Sequence, residues 1–218
     1  MENEHEQFIS IFKDAVDQVP DEYFSTVYYN MQNIKGLLKN RGAFRDSEFH
    51  RHCERIFCYE LYHQLRILVD DLKQRQPNFL DGAFLQGELQ KMQIIEFNQK
   101  LGLEDLSAEH IPDFLVHTPG SELRQVAIIE VKATPFLNFN SLFEDIHKIA
   151  EFIERYRYEF GLFLAVNINP DRVVDIIQTH SEQFMQFGLF IERIFVVVKE
   201  ASNEQTFCKP LAELIITT

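Results

Sequence analysis

The sequence predicts an α/β protein: a mixed central sheet flanked by helices, with a helical extension at the amino end. Three observations point there. Residues 126–131, 160–168 and 194–198 are near-continuous apolar runs of strand length, the pattern of strands covered on both faces. Residues 47–73 and 142–156 repeat their apolar positions at helical spacing. The elements follow one another as helix, strand, strand, strand, helix, strand, helix, strand, so strands and helices alternate in the second half of the chain.

The chain of 218 residues fits one main domain, expected over 46–218, with 1–45 as the helical extension. Hydrophobic residues make up 45%, enough for a core and too many for a disordered chain, and the 21 Phe are expected to fill that core. No apolar run approaches the ~20 residues of a membrane helix. The polar, acidic start MENEHEQF does not read as a secretory signal. Cys53, Cys58 and Cys208 include no CxxC pair, so reduced thiols in a cytoplasmic setting are expected, and no structural zinc. The net charge of −13 argues against binding nucleic acid by bulk electrostatics, which rests on Lys and Arg, and leaves a local basic patch as the route.

In chain order, Phe8, Ile9, Phe12, Ala15 and Val16 predict a helix over 4–18. Phe24, Val27, Tyr28, Met31, Ile34 and Leu38 predict a second over 21–39, started by Pro20-Asp21. Lys35, Lys39, Arg41, Arg45, Arg51 and Arg55 then outnumber Asp46, Glu48 and Glu54, so this stretch is basic within an acidic chain. It reads either as a solvated connection or as a phosphate-contacting patch. The helix over 47–73 carries Phe57, Leu61, Leu65, Leu68 and Leu72 on one stripe, with Glu60 at its margin and Glu54 within it; His63, one turn beyond Glu60, reads first as a satisfied structural histidine and otherwise as a phosphate contact. A strand is expected around 83–89, with Phe84, Gln86 and Glu88 on one face and Gly87 allowing close approach of backbone. Asn140 or Ser141 would cap the helix over 142–156, where Asp145 and Lys148 are three apart and form a local pair unless Lys148 reaches the strand ends. One helix is expected from Pro170 through Met185, and an edge strand over 212–217.

The chemistry-bearing stretch is IPDFLVHTPGSELRQVAIIEVKAT, residues 111–134. Two short strands joined by a turn are expected, the first following Pro112-Asp113 and the second ending in Glu130-Val131-Lys132. Period-two alternation places Val126, Ile128, Glu130 and Lys132 on one side and Val131 on the other. An acid and a base at the end of a buried strand are costly without partners. A hairpin would bring Asp113 beside Glu130, and two carboxylates in one place call for a cation between them. Hard oxygen ligands suit Mg²⁺ or Mn²⁺.

Pro112-Asp113 followed by Glu130-Val131-Lys132 at the end of an apolar strand resembles the active-site signature of the PD-(D/E)xK nucleases, which share the restriction-endonuclease-like fold. The resemblance covers roughly 47–200 and implies an αβββαβ core. It implies a metal-dependent nuclease, on DNA more often than RNA, in a prokaryotic restriction, defence or repair setting, commonly as a homodimer or with a partner subunit. It further implies that Asp113, Glu130 and the Val131 carbonyl hold Mg²⁺ or Mn²⁺, with Glu88 as a third carboxylate, and that Lys132 orients or helps deprotonate the attacking water. The family's acid on the first helix falls on Glu60 as the better match, with Glu54 its rival. The other expectation, favoured by the acidic balance, is a catalytically silent protein of the same fold that serves as scaffold or interaction partner.

Overall fold

The computed structural model describes residues 4–24, 46–87, 112–119 and 124–215, with backbone alone at 46–53. Helices α1 (Glu4–Gln18) and α2 (Asp21–Phe24) precede the long helix α3 (Asp46–Arg75). Three strands follow: β1 (Phe84–Gly87), β2 (Phe114–His117) and β3 (Gln125–Ala133). Helix α4 (Phe139–Arg155) leads to β4 (Phe160–Val166). Helices α5 (Pro170–Thr179) and α6 (Ser181–Met185) and a 3₁₀ turn (Gly188–Arg193) lead to β5 (Ile194–Lys199). Strand β6 (Phe207–Pro210) and helix α7 (Leu211–Ile215) complete the described chain. The protein is thus α/β, as expected. The rest of the expected second helix, and the boundary placed at residue 45, lie outside the described residues.

The six described strands form one open mixed sheet in chain order. β1, β2 and β3 are antiparallel, β3, β4 and β5 parallel, and β5 and β6 antiparallel. β3 is therefore interior, flanked by the strand that follows Asp113 and the strand that carries Phe163. Every residue of β4 is buried, which its unbroken apolar run anticipates. On one face of the sheet, Phe8 and Phe12 of α1 and Phe57 and Leu61 of α3 pack with Ile129, Val131 and Leu162. On the other, Leu142, Ile146 and Ile149 of α4 pack with Ile128, Phe163 and Val196.

The alternation of β3 holds from Ala127 onward but not at Val126. Val116 pairs with Ala127 while His117 pairs with Gln125, so Val126 is an extra residue in the ladder. A bulge of this kind turns two successive side chains toward one face. Val126 accordingly joins Ala127 in the α1–α3 core and does not share the face of Ile128.

Other boundaries move for local reasons. Asn138, not Asn140 or Ser141, caps α4, its side chain accepting from Ser141 N at 3.1 Å. The helix expected over 170–185 breaks at His180, whose backbone leaves the helical region (φ −115°, ψ 27°) and whose ring stacks on Phe139 at 3.9 Å. The carboxyl-terminal edge strand is Phe207–Pro210, earlier than expected. Pro210 cannot donate to a ladder, and Leu211, Leu214 and Ile215 follow at helical spacing and are buried. At Gly87 the neighbours are not backbone but the rings of Phe114 and Tyr62, both far enough for a Cβ to fit. Among the described residues, no helix is long and apolar enough to cross a membrane.

At Gly161 of β4 the side chain of Ile149 from α4 packs directly over the strand. A Cβ there would stand 2.1 Å from Ile149 Cγ2 and 3.3 Å from Ile128 Cγ2. Ile149 is β-branched and fully buried, so it has little room to move. Gly161→Ala is expected to destabilise the fold by about 1–3 kcal/mol through overpacking. Ile149→Ala, destabilising alone, should remove most of that cost in the double variant; urea unfolding of all four proteins measures the coupling.

Candidate active site

The site is built at the carboxyl end of β3, where the sheet loses one ladder. β2 pairs with β3 as far as Phe114 opposite Ile129. Ahead of Phe114 the chain turns away at Asp113 and Pro112, and Pro112 has no N–H to offer. The Val131 and Ala133 amides point to this side of β3, because alternate residues of a strand direct their N–H groups to the same edge. Two carboxylates take them. Val131 N donates to Asp113 Oδ2 at 2.7 Å, and Ala133 N donates to Glu54 Oε2 at 3.2 Å. The Val131 carbonyl shares that edge with its amide.

Glu130 and Lys132 face the other layer, toward α4. Glu130 is 3% exposed, and Lys148 Nζ donates to its Oε2 at 2.7 Å. Its other oxygen, Oε1, is buried with no hydrogen-bond partner among the described residues. Asp145, one turn before Lys148 and also buried, serves both lysines. Lys132 Nζ is 3.2 Å from Asp145 Oδ2, an ion pair not aligned as a hydrogen bond, and Lys148 Nζ is 3.8 Å from Oδ1. Four carboxylates (Glu54, Asp113, Glu130, Asp145) thus gather around two ammonium groups, a formal excess of two negative charges when all are ionised.

The electrostatics follow from that crowding. Burial pushes the Asp113 carboxyl up to about 6; the Val131 N–H bond opposes the rise, the Glu54 charge adds to it, and Lys148 and Lys132 oppose it. Burial also holds Glu130 well above the usual carboxylate range, reinforced by Asp113 and opposed by Lys148. For Lys132 burial alone would lower the pKa, but Asp145, Glu54 and Glu130 outweigh it and hold the amine above its ordinary value. Lys132 is therefore an ammonium at neutral pH: a donor and counter-charge rather than a base.

Asp113, Glu130, Val131 and Lys132 are thus brought together at one strand end. The acid contributed by α3 is Glu54, not the favoured Glu60. Six residues further along a helix that rises 1.5 Å per residue, Glu60 sits roughly 9 Å from Glu54 along the axis, where it accepts from Gln64 Nε2 at 2.6 Å. Glu88 lies outside the described residues, as do Lys35, Lys39, Arg41 and Arg45, and of Arg51 only the backbone is described. Arg55 and His63 are exposed on α3. Among the described residues no three His, Cys, Asp or Glu side chains form a metal-holding group. The donors present still suit Mg²⁺ or Mn²⁺, because Mg²⁺ commonly takes one or two carboxylates and fills its remaining positions with water and substrate phosphate. Glu130 Oε1, buried and unbonded, is the observation that favours such an ion. No family model matches the chain, and neither curated proteins nor solved structures give a match.

Sequence reasoning undervalued Asp145, read as half of a local pair on α4. Its signal was the register of α4: Asp145 and Lys148 flank Ile146 and Ile149 on the face that packs against β3 and β4.

The raised Asp113 pKa has a consequence for stability. From about pH 4 to pH 6 the folded state holds this proton more tightly than the unfolded chain does. Folding stability attributable to Asp113 therefore falls as pH rises through that window, and the loss is complete above about pH 6. Asp113→Asn, which keeps an acceptor for Val131 N, should match wild type near pH 4. It should be more stable above pH 6, by on the order of 2 kcal/mol after discounting for partial solvent access. Denaturant unfolding of both proteins in metal-free buffer from pH 4 to 8 tests the sign; parallel curves would contradict it.

Proposed function

We propose that this protein is a metal-dependent nuclease of the PD-(D/E)xK kind, built on a restriction-endonuclease-like core and hydrolysing phosphodiester bonds, with DNA the favoured substrate. The observation that carries the reading is the Asp113 carboxylate bound to Val131 N beside a buried Glu130 whose Oε1 has no partner among the described residues. The order of elements supports it: a helix bearing Glu54, an antiparallel β1–β2–β3 meander, α4, then β4 parallel to β3.

In this reading Asp113, Glu130 and the Val131 carbonyl hold Mg²⁺ or Mn²⁺, with Glu54 or Glu88 completing the set. The bound ion would supply Lewis-acid polarisation of the phosphate and acidify a bound water. The chain's own residues do the rest. The Val131 and Ala133 amides fix the two outer carboxylates in place. Lys132, kept cationic by Asp145 and Glu54, offsets charge that builds on the phosphate and orients the attacking water as a hydrogen-bond donor. The acidic chain calls for a local basic surface or a partner subunit to bring DNA to the site, in a cytoplasmic defence, restriction or repair setting.

A second reading has its own observation. Lys148 already neutralises Glu130, and Lys132 is already paired with Asp145, as expected of a structural ion network in a scaffold or interaction protein.

Incubation with Mn²⁺ and linear, circular, single-stranded and branched DNA separates the two. Cleavage is expected with wild type. It should drop to background in Asp113→Asn and fall by roughly 10²–10³ in Lys132→Ala, the scale of losing one donor to developing charge. Millimolar Mn²⁺ should raise the melting temperature of wild type and of Lys132→Ala, since lysine is no ligand, and raise that of Asp113→Asn much less. No cleavage, with an unmoved melting temperature in wild type, would leave the scaffold reading.

A further inference from the structure

The side chain best placed to compete with a cation at Glu130 is Lys148, and it comes from a different layer than the motif. Its Nζ lies 2.7 Å from Glu130 Oε2 and 3.8 Å from Asp145 Oδ1, so the ammonium sits between two buried carboxylates, bonded to one and close to the other. The Lys148 side chain is 10% exposed and that of Asp145 8%, so water contributes little to either charge. On the far side of Glu130, Oε1 is buried with no partner among the described residues, and Asp145 Oδ2 likewise lacks a hydrogen bond among them although Lys132 is near it. Glu130 thus has acceptor capacity to spare, while Asp145 presents one oxygen to each lysine. A structural ion pair built only for stability would be expected to satisfy these atoms.

We propose that Lys148 is the internal counter-ion of the metal site: it occupies Glu130 when no divalent ion is bound, and its ammonium moves toward Asp145 when one binds. This deepens the nuclease reading and rests on it. Asp145 is then the anchor that receives Lys148 while holding Lys132, so the site exchanges one cation for another with only a short side-chain movement. No covalent step is involved. Lys148 is a positioning residue, and it sets how tightly the ion binds. A single positive charge some 6 Å from a divalent ion weakens binding by about tenfold even when screened as in water.

The test reads metal occupancy rather than activity. Mn²⁺ binding to the full chain is titrated by the loss of the free-ion electron paramagnetic resonance signal. Wild type is compared with Lys148→Gln, Lys148→Arg and Asp145→Asn. Gln keeps a hydrogen-bond donor for Glu130 and removes only the charge. The expected results are binding about tenfold tighter in Lys148→Gln, near wild type in Lys148→Arg, and weaker in Asp145→Asn. Crystals soaked in Mn²⁺ should show Lys148 Nζ displaced from Glu130 Oε2 toward Asp145 Oδ1. If Lys148→Gln fails to fold, the soaked wild-type crystal decides: an ammonium still on Glu130 Oε2 beside bound Mn²⁺ overturns the proposal. Unchanged or weaker Mn²⁺ binding in folded Lys148→Gln overturns it too, and leaves the nuclease reading intact if wild type binds Mn²⁺ and cleaves. If wild type binds no Mn²⁺ at millimolar concentration, both fail together.

Discussion

Two backbone amides at the end of β3 set the terms for this site. Val131 and Ala133 continue an interior strand past the point where its neighbour β2 turns away. Both residues are buried, and a buried N–H without an acceptor costs about 1–3 kcal/mol. Asp113 and Glu54 supply the acceptors. One carboxylate comes from the chain just ahead of β2 and the other from α3, so satisfying the strand draws two acids from distant parts of the sequence to one edge. Were β2 to pair with β3 for four residues more, the amides would be met by backbone and neither acid would be needed.

The second layer follows from the first. Burial first, and then the Asp113 charge at the strand edge, raise the cost of ionising Glu130, which the pleat directs to the opposite face. That face meets α4, and α4 answers with Lys148 against Glu130 and Asp145 against Lys132. The helix reaches this depth because Gly161 leaves a gap in β4 for Ile149. Apolar packing and charge placement are thus coupled: the turn of α4 that fills the hydrophobic space also presents the ion pairs. Buried ion pairs are weak stabilisers compared with apolar replacements of similar volume.

Much of the fold was legible in the chain. Strands β3, β4 and β5 announced themselves as apolar runs covered on both faces, and α1, α3 and α4 as helical stripes. The misreadings share a cause. Val126 was assigned by strict alternation, but the bulge opposite His117 depends on how β2 meets β3. Residues 211–215 carry both strand-like composition and helical spacing, and only packing against the α4 layer chose the helix. Glu54 lies within the apolar stripe of α3 and Glu60 at its margin, and the sequence could not tell which turn of a long helix stands over the end of β3.

What the sequence by itself determined is local: which segments are strands or helices, and that Asp113, Glu130 and Lys132 sit at strand ends where the pleat fixes their facing. Those follow from backbone periodicity and side-chain burial, which act over a few residues. Only the tertiary structure decided which partners meet them. Glu54 over Glu60, Asp145 as the acid for Lys132, and Lys148 as the ammonium on Glu130 all depend on the axial position and rotation of a helix against a sheet. Packing volumes across the whole core set that position, and no spacing within one segment encodes it.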